Sequence, residues 1–306
     1  MIFPAESDPQ VRNKALLPAT TRFGVVRIAV TDRGRALAIW RDVVGLALID
    51  ETETELRLGV GDRVLIVLEL GAGRAVQPHT IGLYHVAIHV PTRADLAQMA
   101  VRALQRRVRI SPTDHLVSEA IYLWDFDGNG IEITFETPWR GTLGDADRGA
   151  YAVTNDGTPH SGREPIDLEG LLEELGDRPA LQPLMPEGTR IGHVHLHVND
   201  LELAMRFYRD GLGYGGLFII KKFGMGDVGL DYPPHAIAFN IWAGTNAALP
   251  MQGAAGLRWF EVLVPDAKIL GEVQGRLAAI GAPVTPIEGG LEATDPSGNR
   301  VRVKLA

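Results

Sequence analysis

The sequence predicts an α+β fold made of four copies of one βαβββ unit, each of roughly 50 residues. A strand followed by a helix and further strands recurs four times along the chain. The segments DFDGNGIEI and DPSGNRVRV show the repeat most plainly, because each joins an acidic, Gly-containing turn to a closing strand. One unit cannot cover both faces of its own small sheet, so we expect the units to pair into two open, cup-shaped mixed sheets.

The first copy shows how each element is predicted. Val26, Ile28 and Val30 occupy alternate positions, which is the period of a strand. Asp32 then stands where a helix N-cap is expected, and Gly45 stands where that helix can end. The short apolar strands LRLGV and VLIVLEL complete the unit.

The predicted boundaries divide the chain into two pairs of units and a linker. The N-terminal pair spans 20–138 and contains unit one (20–75) and unit two (80–138). The C-terminal pair spans 189–306 and contains unit three (189–245) and unit four (254–306). The polar linker between the pairs, 139–188, contains one short helical patch, IDLEGLLEEL. We expect the linker to pack on the surface.

The bulk composition bounds the class of protein. With 306 residues, of which 45% are hydrophobic, the chain can bury a sizeable core. A net charge of −8 without a basic run argues against nucleic acid and anionic membranes as partners. The chain has no cysteine, no apolar run of about 18 residues and no signal-peptide pattern, so we expect a cytoplasmic protein.

One stretch of unit two, from His115 to Glu132, predicts a hairpin with a polar face and an apolar face. Ile131 and Ile133 flank Glu132 on the returning strand, and Tyr122 stands at an alternating position of the outgoing strand. The turn, DFDGNG, is predicted to be type I′-like rather than a calcium loop, because the remaining spacing of a calcium loop is missing. The hairpin therefore presents a carboxylate and a phenol near an upstream imidazole.

Histidines on the first strands of units two and three share a predicted face with Glu132. A lone histidine on a sheet is usually an ordinary polar residue, but His85, His193 and Glu132 occupy matched strand positions. Two imidazoles and one carboxylate, with positions left open, form the ligand set of non-haem Fe(II) oxygenases, and Zn(II) and Mn(II) also accept it. We expect the other histidines of these strands to line a pocket: His89, His195 and His197.

The distribution of these ligands predicts which units pair. If neighbours in the chain paired, each cup would hold an incomplete set, and a buried lone carboxylate would be costly. Pairing unit two with unit three, and unit one with unit four, gathers the three ligands in one cup. The other cup would hold Arg27, Glu261 and Arg302, which we expect to neutralise one another.

The repeat and its strand-borne ligands resemble the vicinal oxygen chelate superfamily, over nearly the whole chain. Within it, the segments GLYHVAIHVP, HLVSEAIYL and FNIWAG resemble the catechol 2,3-dioxygenase branch of the type I extradiol dioxygenases. Two features depart from their motif, since Phe126 replaces a proline and SPTD replaces a Gly-rich lead-in. The matching residues stand at the expected spacing: His115, Ile121, Tyr122, Asp125, Gly128 and Glu132.

The resemblance implies an enzyme that inserts O2 next to the diol of a catechol-like aromatic. It implies three ligands for Fe(II), with Mn(II) as the alternative metal: His85, His193 and Glu132. Tyr122 and His115 would lie beside the substrate, and His235 would act as acid and base. A homo-oligomer is compatible with this family. The expected lining of an apolar ring pocket consists of three aromatic residues: Trp124, Phe239 and Trp242.

Other functions share this fold. A glyoxalase-type metal-dependent isomerase or lyase would need a second glutamate where unit three has Asn240, and it would have no use for Tyr122 beside His115. A metal-free small-molecule binding or resistance protein would need none of the three ligands. A thiol transferase of the same superfamily is a further alternative.

Overall fold

The computed structural model describes residues 14–143, 152–176, 182–230 and 235–306. Unit one contains these elements: β1 (Arg22–Val30), α1 (Arg33–Trp40), β2 (Ala47–Glu51), β3 (Glu55–Val60) and β4 (Arg63–Leu70). Unit two contains these: β5 (Gly82–His89), α2 (Arg93–Gln105), β6 (Ser111–Asp114), β7 (Ser118–Trp124) and β8 (Gly130–Glu136). Both units thus have the predicted βαβββ order.

The second half of the chain repeats this order. The linker contains β9 (Gly141–Leu143), β10 (Ala152–Thr154), β11 (Pro159–His160) and α3 (Leu168–Glu173). Unit three contains β12 (Arg190–His197), α4 (Leu201–Met205), a π-helical segment (Arg206–Leu212), β13 (Gly215–Ile220), β14 (Met225–Gly229) and β15 (Ile237–Asn240). Unit four contains β16 (Gly256–Val264), α5 (Ala267–Ala279), β17 (Val284–Ile287), β18 (Gly290–Thr294) and β19 (Arg300–Leu305).

The strands form two open eight-stranded sheets, and each sheet joins units that are not neighbours in the chain. The one–four sheet has the order β17-β18-β19-β16-β1-β4-β3-β2, and the two–three sheet has the order β13-β14-β15-β12-β5-β8-β7-β6. The first strands form both junctions, since β1 runs antiparallel to β16 and β5 runs antiparallel to β12. The predicted pairing of units is therefore confirmed.

The helix of each unit begins at a capping side chain that closely follows the first strand. Asp32, Asp200 and Asp266 accept a backbone N–H from the first turn of their helices, as predicted for Asp32. Thr92 and Asp95 form a reciprocal capping box at the start of α2. Within the described residues, no helix is long and apolar enough to cross a membrane.

One hydrophobic cluster lies against the aliphatic faces of both sheets and joins all four units. Trp40 of α1, Phe239 of β15 and Phe260 of β16 are fully buried in this cluster. Side chains alternate across a strand, so the opposite face of each sheet is left for the polar residues of the same strands. This division places the predicted ligands away from the core.

The linker contains the predicted helix, α3, but it also contains a three-stranded sheet that sequence analysis missed. The linker packs along unit two. The backbone N–H of Asp114 donates to the carbonyl of Glu164 at 2.6 Å, and the N–H of Glu164 donates to the carbonyl of Asp114 at 3.1 Å. The division into domains stays a prediction.

The turn between β7 and β8 is not type I′, and that prediction is wrong. A type I′ turn needs positive φ at two successive residues, whereas Gly128 alone has one here, at 91°. Asp125 closes the turn instead. Its carboxylate accepts the backbone N–H groups of Asp127 and Asn129, each at 2.9 Å, and the indole N–H of Trp40 at 3.1 Å. The oxygens that a calcium ion would need therefore already bind protein donors.

Replacing Asp125 with Ala should destabilise the protein by about 3 kcal/mol, because several buried N–H groups would lose their acceptor at once. The measurement is the free energy of unfolding in urea. Asp62→Ala removes an exposed carboxylate and should change this free energy by less than about 0.5 kcal/mol. Equal stability of the two variants would contradict the assigned role of Asp125.

Candidate metal centre

The hairpin of unit two sets Glu132 beside Tyr122. These two residues are cross-strand partners in β7 and β8, so their side chains lie on the same face. Strand β8 runs parallel to β5, and β5 pairs with β12 of unit three. Three adjacent strands thus bring Glu132, His85 and His193 onto one face of the two–three sheet.

The donor atoms of these three residues converge. Nε2 of His85 and Nε2 of His193 lie 2.8 and 3.0 Å from the same carboxylate oxygen, Oε2 of Glu132. The two nitrogens are 3.3 Å apart. Metal–ligand bonds of about 2.0–2.2 Å place neighbouring ligands at roughly these separations. Each residue is at most 4% exposed.

The charges at this centre favour a cation. Burial by itself would raise the pKa of Glu132, but the imidazoles of His193 and His85 hold that pKa well below its ordinary value. Burial in turn holds the pKa of His193 well below its ordinary value, so this imidazole is neutral. The other side chain that bonds the carboxylate is Thr134, whose hydroxyl donates to Oε1 at 2.8 Å. None of these partners carries a permanent positive charge, so a bound cation would compensate the buried carboxylate.

Residues His115 and Tyr122 form a hydrogen-bonded pair next to the three converging side chains. Nδ1 of His115 lies 2.5 Å from the carbonyl of Gly162 and must donate to it, because a carbonyl can only accept. Burial lowers the pKa of His115, so its Nε2 is unprotonated and accepts the hydroxyl of Tyr122 at 2.8 Å. The hydroxyl of Tyr122 is therefore the donor of this pair.

The predicted acid–base residue, His235, lies next to His193. The centroids of the two rings are 4.2 Å apart. Nδ1 of His235 forms a short contact with Oδ2 of Asp227, a fully buried residue of β14. Burial opposes protonation of His235, but the carboxylate of Asp227 raises its pKa above the ordinary value. Sequence analysis missed Asp227, although a carboxylate in the otherwise apolar strand MGDVG is a usable signal.

A cavity of about 490 Å³ opens over these groups. Trp124 and Trp242 line it as predicted, whereas Phe239 does not, because it is fully buried and stacks on Tyr208 in the core. The described residues that line the cavity include all six predicted site residues: His85, His115, Tyr122, Glu132, His193 and His235.

The linker contributes to this cavity, although it was expected only to pack on the surface. Gly162 and Arg163 are both lining residues. The guanidinium of Arg163 lies over the rings of Phe223 and Trp242, at 5.5 and 5.8 Å from their centroids. Nothing in the sequence pattern of the linker marks these residues, because they reach the cavity only through tertiary packing.

Three further histidines of β5 and β12 were expected to line the pocket, and one of them does. His195 lines the cavity, and its Nε2 lies 2.8 Å from Nδ2 of Asn240. Nδ1 of His197 lies 2.8 Å from Oδ1 of Asn240, at the other end of the same amide group. His197 is not among the described residues that line the cavity. His89 lies behind His193, with its Nε2 at 3.2 Å from Nδ1 of that residue.

The one–four sheet carries ion pairs where the two–three sheet carries the three converging side chains. Arg27 pairs with Glu69 at 3.0 Å, and Arg302 pairs with Glu292 at 2.7 Å. Glu261 accepts a backbone N–H at 3.0 Å. The expectation that Arg27, Glu261 and Arg302 neutralise one another is therefore wrong, because each has a closer partner on an adjacent strand.

Comparison with known proteins places this architecture in a family. Residues 22–135 match the model of the Glyoxalase/Bleomycin resistance protein/Dioxygenase superfamily. The chain belongs to this superfamily, because it also matches a relative over nearly its whole length. This relative is the catechol-2,3-dioxygenase of Bacillus subtilis (strain 168), to which the chain is 34% identical over 279 residues. The alignment covers 90% of this chain and 94% of that protein.

Solved structures share the fold at low sequence identity. A provisionally assigned dioxygenase from Bacillus subtilis subsp. subtilis strain 168 is 14% identical, with a TM-score of 0.60 over 93% of this chain and 85% of that chain. A glutamine-substituted glyoxalase I from Zea mays is also 14% identical, with a TM-score of 0.56 over 93% of this chain and 94% of that chain. At such identities the likeness shows the fold alone.

Glu136, at the end of β8, should make the stability of the protein depend on pH. Burial opposes its ionisation, but His89 and Arg190 lower its pKa from 4.5 to about 2. A carboxyl with a lowered folded-state pKa stabilises the protein above its unfolded pKa, and this contribution is lost as the pH falls. The free energy of unfolding of the wild type should exceed that of Glu136→Gln, and this difference should decrease by about 1 kcal/mol between pH 6 and pH 3.5.

Urea unfolding at the two pH values measures this change. Glu187→Gln, which removes an exposed carboxylate, serves as the matched control and should follow the wild type. A constant difference between wild type and Glu136→Gln across this range would contradict the assigned interaction.

Proposed function

We propose that the protein is an extradiol dioxygenase that cleaves a catechol-like aromatic ring next to its diol, with both atoms of O2 entering the product. The observation that carries this proposal is the convergence of His85, His193 and Glu132 on the wall of the cavity. The catechol-2,3-dioxygenase that is 34% identical over 90% of the chain supports the same reaction class.

The proposed cation is Fe(II), with Mn(II) as the alternative, held by His85, His193 and Glu132. When bound, such a cation would lower the pKa of a diol and keep the diol beside O2. Glu132 supplies the negative charge of this ligand set, and the two imidazoles supply nitrogen donors. A cation held by only three protein side chains would keep coordination positions available for the reactants.

His235 is the proposed proton carrier. Its Nδ1 faces Asp227, so Nε2 is the nitrogen that could take a proton from the second hydroxyl of the diol and later return it. Asp227 strengthens this role, because a buried carboxylate holds the ring in one orientation and raises its affinity for a proton. The position of His235 beside His193 supports its access to a molecule bound at the proposed ligands.

Tyr122 is proposed to bind the substrate through its phenol oxygen. Since the hydroxyl of Tyr122 donates its hydrogen bond to His115, the phenol oxygen would act as an acceptor toward the bound molecule. The carbonyl of Gly162 holds His115 in the required tautomer. A cavity of about 490 Å³ lies within the usual range for small-molecule sites, and Trp124 and Trp242 offer faces for an aromatic ring.

The geometry favours this function over the alternatives. A glyoxalase-type enzyme would use a second carboxylate from unit three, but the candidate position holds Asn240, whose amide bonds His195 and His197. A metal-free binding protein would have no use for a buried carboxylate that converges with two buried imidazoles.

Anaerobic reconstitution with Fe(II), followed by catechol and air, tests the proposal directly. We expect oxygen consumption and the yellow ring-opened semialdehyde. His85→Ala and Glu132→Gln should reduce both to background and should weaken metal binding. Glu261→Gln is the matched control, because it makes the same change at a buried carboxylate of the one–four sheet, and it should keep activity. Stoichiometric metal without oxygen uptake on several catechols would refute the dioxygenase and favour the isomerase.

His235→Gln should lower kcat by roughly 10²- to 10⁴-fold while metal content stays unchanged, because it removes the proton carrier but no proposed ligand. Asp227→Asn should lower kcat less, since the imidazole itself remains. Steady-state kinetics on catechol measure both effects, and His79→Gln in an exposed loop should match the wild type. A kcat of His235→Gln within twofold of the wild type would remove His235 from the proposed mechanism.

A further inference from the structure

We propose that His89 is a positioning residue that holds His193 in the tautomer whose Nε2 is free to bind a cation. This inference rests on the proposed metal site and concerns a residue that contacts one of its proposed ligands. His89 is 3% exposed and lies outside the described lining of the cavity, so it is placed to act through His193 rather than on a substrate.

The contact between the two imidazoles is direct. Nε2 of His89 lies 3.2 Å from Nδ1 of His193, and the ring planes cross at 78° with centroids 5.4 Å apart. This distance is that of a hydrogen bond between one protonated and one unprotonated ring nitrogen. One of the two residues must donate.

The direction of this bond decides whether His193 can be a ligand. Neutral His193 has two tautomers. In the first, Nε2 carries the proton and donates it to Glu132 at 3.0 Å, which blocks the nitrogen that faces the site. In the second, Nδ1 carries the proton and donates it to His89, which leaves the Nε2 lone pair free. An acceptor behind the ring therefore favours the tautomer that can bind a metal.

A carboxylate fixes His89 as this acceptor. Nδ1 of His89 lies 3.5 Å from two groups, Oε1 of Glu136 and a guanidinium nitrogen of Arg190. The same guanidinium nitrogen donates to the other oxygen of Glu136 at the shorter distance of 2.9 Å. Because Arg190 binds the carboxylate more closely than it binds the imidazole, we assign the His89 proton to Nδ1, facing Glu136, which leaves Nε2 as the acceptor toward His193. The chain of contacts thus runs from Arg190 through Glu136 and His89 to His193.

The backbone reserves space for this imidazole. Gly192 of β12 lies against the His89 ring, and a Cβ at residue 192 would lie 1.9–2.2 Å from atoms of that ring. Any other residue would force the ring out of its place. This clearance is independent of the hydrogen bonds, and it points to the same function for His89.

The other imidazole of the site lacks such support. Nδ1 of His85 is buried and has no hydrogen-bond partner among the described residues. The structure thus equips only one of the two proposed histidine ligands with an acceptor behind the ring. The effect of His89 should fall on the affinity of the site rather than on the fold.

Metal affinity tests this inference without relying on turnover. Co(II) and Zn(II) dissociation constants are measured by competition with a chromophoric chelator, and the visible spectrum of the Co(II) protein reports the ligand field. His89→Leu keeps a similar volume but removes the acceptor, and it should weaken binding by about 10- to 100-fold. His89→Gln can still accept a hydrogen bond through its amide oxygen and should stay within about threefold of the wild type. His197→Leu, on the partner strand and away from the ligands, should match the wild type.

Equal affinities of His89→Leu and the wild type would overturn the inference, and so would equal losses in His89→Leu and His89→Gln. Should His89→Leu fail to fold, ¹⁵N NMR of the Zn(II)-loaded wild type decides. We expect an unprotonated Nε2 on His89 and a coupling across the bond to Nδ1 of His193. A protonated Nε2 on His89 would overturn the inference. A protein that binds metal through this network but does not consume O2 would refute the proposed function alone.

Discussion

A buried negative charge is the constraint on which the two–three sheet depends. Glu132 lies on β8, next to the central strands of the sheet, between two imidazoles and without a lysine or arginine among its described bonding partners. Burying an ionised carboxylate is costly unless a cation compensates it. The pairing of units two and three brings the two histidines to this carboxylate, so the same packing that completes the sheet also assembles a place for a cation.

The one–four sheet shows what the same architecture becomes without this constraint. Its strands have the same order and the same antiparallel junction, but arginine–glutamate pairs occupy the polar face. Each charge is neutralised by a neighbour on an adjacent strand, and such partly exposed pairs add little stability. The repeated unit therefore gives both sheets the same backbone arrangement. The side chains on the polar face decide whether a sheet can hold a metal or has a structural role alone.

Each histidine that we assign a role beside the proposed ligands is oriented by an acceptor behind it. The carbonyl of Gly162 holds His115, the carboxylate of Asp227 holds His235, and Glu136 lies behind His89. Because neutral imidazole has one donor and one acceptor nitrogen, an acceptor on one side fixes the nitrogen offered on the other. The site thus consists of a few groups facing the cavity and an outer layer that sets their tautomers.

The sequence by itself determined the repeat, the strand parity and the three converging ligands. These follow from local periodicity, since residues two apart on a strand must share a face. It also indicated the pairing of units, because only one pairing collects His85, His193 and Glu132. Only the tertiary structure decided the closure of the turn by Asp125, the burial of Phe239 and the contacts of Asp227, Arg163 and His89. Those contacts join segments far apart in the chain, and their geometry depends on side-chain packing that no local pattern encodes.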